Sequence, residues 1–214
     1  MKRLTTANRR ISILPAFALC VGLALLPATR ADAATGNGAD TVQSFYNTLL
    51  DTMRSASQLG ARGRYARLSP AIQQSFDIPF MTRLAVGPEW NSLTQAQQSQ
   101  VTEAFERYVA AVYAERFNSY SGEQLKVTGE TSSPAGTIIT SQIVKSNGEP
   151  VHINYLMRQN GGAWQIADVY LDGTISELAT RRSEFTDILR RSGVDGLIQS
   201  LNNKADALSA SSAS

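Results

Sequence analysis

The chain has 214 residues, with 20 basic and 18 acidic side chains, a formal net charge of +2 and one cysteine. Five of the basic residues and the cysteine lie in the first 33 positions, so the other 181 residues carry 15 basic and 17 acidic side chains, a net charge of −2. This balance argues against a nucleic-acid-binding surface, and the lack of cysteine beyond residue 33 excludes thiol catalysis, iron–sulfur clusters and cysteine-ligated zinc there. The length predicts one domain with a sizeable core.

Residues 1–33 have the pattern of a secretory signal peptide. Four basic residues come first, an apolar stretch follows over residues 11–26, and Ala31, Asp32 and Ala33 supply the small residues of a cleavage site. The apolar stretch is too short and too interrupted for a membrane span. We therefore expect export and cleavage after Ala33, followed by a linker over residues 34–39.

Helical periodicity dominates the next part of the chain. Ser69 and Pro70 are typical of an N-cap and a first-turn proline, and Thr94 with Gln97 forms a capping-box pattern before the longest apolar stripe. The predicted helices cover residues 40–60, 69–75, 77–87 and 94–117.

From residue 123 the hydrophobic period changes to two, which is typical of half-buried strands. Asn147-Gly148 is a strong hairpin signal because both residues tolerate positive φ. Short turns connect all the strands, so we predict an antiparallel meander of four strands. The predicted strands lie around residues 123–127, 137–145, 151–158 and 164–173.

Helical spacing returns after Gly173, Gly193 breaks it, and a short final helix covers residues 194–201. Residues 209–214 are small and polar, which predicts a disordered tail after a single domain over residues 40–208. The predicted fold class is α+β: a four-stranded antiparallel sheet covered by N- and C-terminal helices and enclosing an apolar cavity.

Candidate catalytic residues are few. His152 is the only histidine and has no paired acid nearby in the sequence, and no cluster of His, Asp and Glu has the spacing of metal ligands. The motifs of nucleotide-binding sites and of serine hydrolases are absent as well. We predict no catalytic residue, no metal and no cofactor.

Asp168 is the exception that needs an explanation, because it interrupts an apolar strand and alternates with Trp164, Ile166 and Tyr170. An unpaired carboxylate on the inner face of a sheet would be costly. Asp168 could serve as a catalytic acid or base, but we favour a structural brace. Its expected partners are Arg158, Arg181 or Arg182, or backbone N–H groups where the strand passes into the helix.

Several blocks of sequence in a fixed order identify a family resemblance. The stretches "FDIPFMTRLAVGPEW", "GEPVHINYLMRQNGGAWQIADVYLDG" and "SEFTDILRRSGVDGLIQSL" resemble the toluene-tolerance, MlaC-like family of periplasmic lipid-binding proteins. The resemblance covers roughly residues 39–208. Arg181-Arg182 stand where many phospholipid carriers of the family have a Tyr-Arg pair, a form similar to the branch associated with hopanoid biosynthesis (HpnM-like).

The resemblance implies a periplasmic carrier of phospholipid or a hopanoid-type lipid, with no enzymatic activity. A monomer is the default expectation for a shuttle of this kind. Its implied partners are an outer-membrane complex and an inner-membrane ABC-type or RND-type lipid transporter. Apolar residues of the long helix, the sheet and the last helix are expected to contact the lipid: Val112, Tyr113, Phe117, Ile139, Ile143, Ile153, Tyr155, Met157, Trp164, Ile166 and Phe185.

Two alternatives remain open. One is a cone-shaped α+β enzyme for small molecules that uses Asp168, alone or with His152, as acid or base. The other is a scaffold protein whose core is completely filled.

Overall fold

The computed structural model describes residues 37–211, all of which belong to one compact unit. The predicted signal peptide over residues 1–33 lies outside the described residues. The elements in chain order are α1 (Gly38–Arg54), α2 (Ala56–Ser75), α3 (Ile78–Val86), a 3₁₀ turn (Gly87–Ser92), α4 (Gln95–Arg116), β1 (Gln124–Ser133), β2 (Gly136–Val144), β3 (Pro150–Asn160), β4 (Ala163–Leu171), β5 (Ile175–Ser176) and α5 (Glu177–Ser211).

The sheet is an antiparallel meander in the order β1-β2-β3-β4-β5, as predicted except for its number of strands. The prediction of four strands is wrong because β5 follows β4 after a tight turn and pairs with it through Tyr170–Ser176 and Leu171–Ile175. Two residues are too few to show a period of two, so β5 leaves no signal in the sequence.

The first helix begins earlier than predicted. The side chain of Asn37 accepts a hydrogen bond from the backbone N–H of Asp40, and the carboxylate of Asp40 accepts one from the N–H of Asn37. This capping box satisfies two N–H groups that a helix start otherwise leaves unpaired. Part of the predicted linker over residues 34–39 therefore belongs to α1.

Pro70 does not begin a helix but lies inside α2, contrary to the prediction. Leu68 and Ile72, on either side of it, are completely buried. They are four residues apart and share a helix face, so continuing the helix through Pro70 places both in the core. Their burial offsets the one backbone hydrogen bond that proline cannot donate.

The C-terminal helix bends where the sequence indicates. Gly193 has φ 65° and ψ −171° inside α5, a conformation that favours glycine. Beyond it the helix continues to Ser211, past the predicted domain boundary at Leu208, because Leu201 and Ala205 extend its buried face. Residues 209–211 of the predicted tail therefore belong to α5, and residues 212–214 lie outside the described residues.

The helices cover one face of the sheet. α1 contacts β1 to β4, α4 packs against α2, α3 and α5, and both α3 and α5 contact β4. Among residues 37–211, no helix is both long and apolar enough to cross a membrane.

Candidate functional site

An apolar cavity lies between the inner face of the sheet and helices α3, α4 and α5, with a volume of about 120 Å³. The strands contribute four aliphatic side chains and Tyr155, and the helices and their ends contribute aromatic, aliphatic and charged ones. Its lining consists of Phe76, Met81, Phe105, Tyr108, Val109, Val112, Tyr113, Arg116, Phe117, Ile143, Ile153, Tyr155, Val169, Leu171, Glu177, Leu178 and Arg181.

Six of the eleven residues expected to contact a ligand line this cavity: Val112, Tyr113, Phe117, Ile143, Ile153 and Tyr155. The periodicity of α4, β2 and β3 put them on inward faces, and the structure brings these faces together. Phe117 stacks on Tyr113, with 5.8 Å between the ring centroids, and so closes one side of the cavity.

The other five do not line this cavity, and their contact with a lipid stays a prediction. Ile139 and Met157 pack against Gly38 at the start of α1, and Ile166 is completely buried beside Met157. These three fill a core layer beneath α1. The other two are Trp164, whose carbonyl oxygen accepts a hydrogen bond from Thr41, and Phe185, which packs edge-to-face on Phe105.

A β-bulge in β4 explains most of the differences on that strand. Leu156 pairs with Asp168 and Met157 pairs with Ile166, so Ala167 is an extra residue between them. A one-residue insertion moves all later side chains to the opposite face. Val169 and Leu171 consequently line the cavity, whereas Asp168 lies on the other face from Ile166, contrary to the predicted alternation.

Asp168 is 6% exposed and accepts three hydrogen bonds. Its Oδ1 accepts from the backbone N–H of Val169 at 2.7 Å and of Leu178 at 3.1 Å, and its Oδ2 accepts from the hydroxyl of Ser176 at 2.6 Å. The Ser176 hydroxyl also accepts from the N–H of Ala179 at 2.9 Å. Asp168 therefore joins β4 to the first turn of α5 and places a negative charge at the positive end of that helix.

The arginines expected beside Asp168 have other partners among the described residues. The Arg158 guanidinium lies over the ring of Phe80, 3.9 Å from its centroid. Arg181 donates to Glu177 at 3.1 Å and to Glu184 at 3.0 Å, and Arg182 lies beside Gly87. Of the partners considered, Asp168 uses the backbone N–H groups.

His152 lies on the face of β3 opposite Ile153 and is exposed. It does not line the cavity. Within the described part of the chain, no three His, Cys, Asp or Glu side chains are grouped so that they could hold a metal ion.

A chain of hydroxyl groups lies behind the cavity. The Ser141 hydroxyl donates to the carbonyl oxygen of Ile153, so its oxygen accepts from Tyr46 at 2.6 Å. The ring of Tyr155 packs on Tyr46. Burial raises the pKa of Tyr155 well above its ordinary value, and Tyr46 and Tyr113 add to the rise. These side chains stay neutral and make the inner end of the site uncharged.

Three charged side chains also line the cavity, and hydrophobic periodicity did not predict them. Arg116 lies in the last turn of α4, and Glu177 and Arg181 lie in the first turns of α5. Burial raises the pKa of the neighbouring Tyr113; Tyr46 adds to the rise, Arg116 opposes it and Glu177 adds to it. The spacing of apolar residues does not show which charged residues at a helix end face a cavity, so these three could not be predicted.

The match to a protein family decides the identity of the chain. Residues 43–203, more than half of the sequence, match the family described as "MlaC protein". The chain belongs to the MlaC family. Every residue of the cavity lining falls within the matched range.

A solved structure shows the same fold. It is described as a phospholipid-binding protein from Ralstonia solanacearum in complex with a phospholipid. The two structures superpose with a TM-score of 0.68 and share 22% sequence identity. The match covers 81% of the present chain and 99% of the Ralstonia chain.

Proposed function

We propose that the protein is a periplasmic lipid carrier that holds the apolar part of a membrane lipid in the cavity between the sheet and helices α3 to α5. The observation that carries this proposal is the apolar cavity, whose lining contains three charged side chains, Arg116, Glu177 and Arg181. Membership of the MlaC family and the fold shared with a phospholipid-binding protein support it.

The mechanism is passive. Each methylene group transferred from water to the apolar lining contributes about 0.8 kcal/mol, so a lipid with long acyl chains leaves slowly into water. Transfer therefore requires a docking partner that opens the cavity. We infer that these partners are an outer-membrane complex and an inner-membrane transporter of the ABC or RND type.

The size of the cavity adds a condition to this mechanism. Its volume of about 120 Å³ is below the roughly 300–1,000 Å³ of most small-molecule sites. A lipid must therefore move wall side chains apart as it enters. The stacked Phe117 and Tyr113, near the exposed end of α4, are the side chains we expect to move first.

Phospholipid is the ligand that the site favours, because a charged end next to an apolar interior fits a molecule with a polar headgroup and apolar chains. A hopanoid-type lipid is the second candidate. It is supported by the Arg181-Arg182 pair, of which Arg181 belongs to the cavity wall.

The proposed function includes no catalytic step. Asp168 could act as an acid or base only if it were free to exchange a proton with a substrate. Its two oxygens already accept from Val169, Leu178 and Ser176, and it lies on the face of β4 away from the cavity.

A matched pair of substitutions on β3 tests the proposal. Ile153→Trp places a large side chain in the cavity, whereas His152→Trp places the same side chain on the opposite, exposed face. The purified native protein should carry lipid in native mass spectrometry and take it up from vesicles of phosphatidylethanolamine and phosphatidylglycerol. We expect Ile153→Trp to lose most of this binding and His152→Trp to retain it.

Overpacking in a core costs about 1–3 kcal/mol, so circular dichroism must first show that Ile153→Trp is folded. Val112→Trp, at a half-buried position of the wall, is the substitute if it is not. The carrier proposal fails if the native protein repeatedly contains no lipid and takes none up from the vesicles. Equal lipid binding by both tryptophan variants would show that the lipid lies outside this cavity.

A further inference from the structure

Three tyrosines, Tyr108, Tyr113 and Tyr155, line the apolar cavity, and their surroundings differ. The hydroxyl of Tyr155 interacts with that of Tyr46, and the Arg181 guanidinium lies over the ring of Tyr108, 5.4 Å from its centroid. The hydroxyl of Tyr113 makes no hydrogen bond within the described part of the chain. Tyr113 therefore brings to the cavity wall a hydrogen-bond donor that no other side chain uses.

The Tyr113 hydroxyl is open to the cavity. Among the fully buried side-chain nitrogen and oxygen atoms of residues 37–211, only Nη2 of Arg64 lacks a hydrogen-bond partner. The Tyr113 hydroxyl also lacks a partner, so it is not fully buried and is accessible from the space that its side chain lines. A ligand in the cavity can therefore reach it.

This hydroxyl keeps its proton at physiological pH and lies near charged side chains. Burial raises the pKa of Tyr113; Tyr46 adds to the rise, Arg116 opposes it and Glu177 adds to it. Arg116 and Glu177 belong to the cavity lining, and so do the apolar side chains around Tyr113. The hydroxyl therefore lies between the charged and the apolar parts of the wall.

Aromatic rings fix the position of the Tyr113 ring. Phe45 and Phe76, both buried, contact it edge-to-face, with 5.3 and 5.7 Å between the ring centroids. Phe117 stacks on its other side and is only half-buried, at the end of α4. A lipid that parts Phe117 from Tyr113 thus meets the hydroxyl as it enters the cavity.

We propose that the Tyr113 hydroxyl donates a hydrogen bond to an ester carbonyl of the bound lipid, at the point where an acyl chain enters the apolar part of the cavity. The protein then selects lipids whose chains are joined by ester bonds over lipids whose chains are joined by ether bonds. This inference rests on the proposed function and adds the linkage of the chains to it.

The chemistry of the two groups agrees with this role. A phenol hydroxyl is a donor, and a carbonyl oxygen is a good acceptor with two lone pairs. In an ether lipid the carbonyl is replaced by a methylene group, which accepts nothing. Once the chains fill the cavity, the Tyr113 hydroxyl would then be buried without a partner, and an unmade hydrogen bond of a buried group is costly.

The test compares two phospholipids that differ only in this linkage. Delipidated protein is given equimolar dioleoylphosphatidylcholine and its dioleyl ether analogue from cyclodextrin, and native mass spectrometry measures the ratio of the two complexes. We expect the native protein to favour the ester lipid. Tyr113→Phe should lower the ester-to-ether ratio by about fivefold, the effect of one neutral hydrogen bond.

The matched control is Tyr170→Phe, which removes the hydroxyl of a half-buried tyrosine of β4 that does not line the cavity. We expect it to leave the ratio unchanged. A ratio unchanged by Tyr113→Phe would overturn the proposal, and so would an equal decrease in Tyr170→Phe. If the native protein takes up neither lipid, the carrier function itself fails, a result distinct from uptake of both lipids without preference.

Two further measurements separate this role from others. Since the Tyr113 hydroxyl has no partner in the lipid-free protein, Tyr113→Phe should have the same midpoint of urea denaturation as the native protein. A clearly lower midpoint would show a structural role and overturn the proposal. Tyr108→Phe and Tyr155→Phe should each keep more of the preference than Tyr113→Phe, and a larger loss in either would assign the carbonyl to a different hydroxyl and overturn the assignment.

Discussion

Replacing Asp168 by asparagine separates the structural role of this residue from a catalytic one. The side chain keeps its size, but it loses its charge and one of its two acceptor oxygens. In the structure both oxygens are used, Oδ1 by two backbone N–H groups and Oδ2 by the Ser176 hydroxyl. At least one donor must therefore lose its acceptor in Asp168→Asn.

The expected cost follows from these contacts. A hydrogen bond to a charged group contributes about 1.5–3 kcal/mol, and a negative charge at a helix start adds roughly 0.3–1 kcal/mol. We expect Asp168→Asn to lower the free energy of unfolding by about 2–3 kcal/mol. Asp168→Ala should cost about 4 kcal/mol, because the buried N–H of Leu178 then has no acceptor.

Urea denaturation followed by circular dichroism measures both values. Asp172→Asn is the control, since Asp172 is exposed in the turn after β4, and its change should stay within about 0.5 kcal/mol. The reasoning is refuted if Asp168→Asn is as stable as the native protein. Where Asp168→Asn is folded, it should bind lipid like the native protein. An Asp168→Asn variant with native stability that had lost an enzymatic activity of the native protein would instead support the enzyme alternative.

The remaining predictions concern hydroxyl groups and one glycine. Ser141→Ala should cost about 2 kcal/mol in urea denaturation, because it leaves the buried hydroxyl of Tyr46 without its acceptor; an unchanged free energy of unfolding would contradict the direction of the hydroxyl chain. Burial raises the pKa of Tyr155 in the folded protein. The stabilisation that comes from its protonated hydroxyl is therefore complete below about pH 10 and is lost as pH rises toward the folded-state pKa. Tyr155→Phe should therefore flatten the fall of unfolding free energy above about pH 10, by up to ~1.4 kcal/mol per pH unit, and an unchanged slope would contradict this. Gly136→Ala should cost more than about 2 kcal/mol and lower the melting temperature, because φ is 144° and the new Cβ would lie 2.5 Å from the carbonyl oxygen of Met157; Gly148→Ala, which meets no atom within 4 Å, measures the effect of positive φ alone.

The features that could be predicted from the sequence are those with a long repeat. The stripe of α4 and the alternation of β3 extend over many residues, and they placed Val112, Tyr113, Ile153 and Tyr155 correctly on inward faces. The hairpin turns and the bend at Gly193 were predictable because glycine marks backbone conformations that other residues avoid.

The features that could not be predicted depend on tertiary contacts. The sequence around Pro70 predicts the start of a helix, and only the burial of Leu68 and Ile72 shows why the helix continues through it. The pairing of β5 requires β4 to be in place first. Core residues such as Met157 and cavity residues such as Ile153 share one strand face, and α1 covers only part of that face. Periodicity identifies the inner face but not the part of it that a helix fills.

The bulge at Ala167 connects these observations to function. Without the extra residue, strict alternation would place Asp168 on the inner face with Ile166, and Val169 and Leu171 on the outer face. A buried carboxylate would then point toward the apolar cavity, as in the enzyme alternative. With the bulge, the same stretch supplies two apolar side chains to the cavity wall, and its carboxylate instead accepts the N–H groups at the start of α5. One inserted residue thus allows β4 to serve both as a wall of the apolar cavity and as the anchor of the last helix.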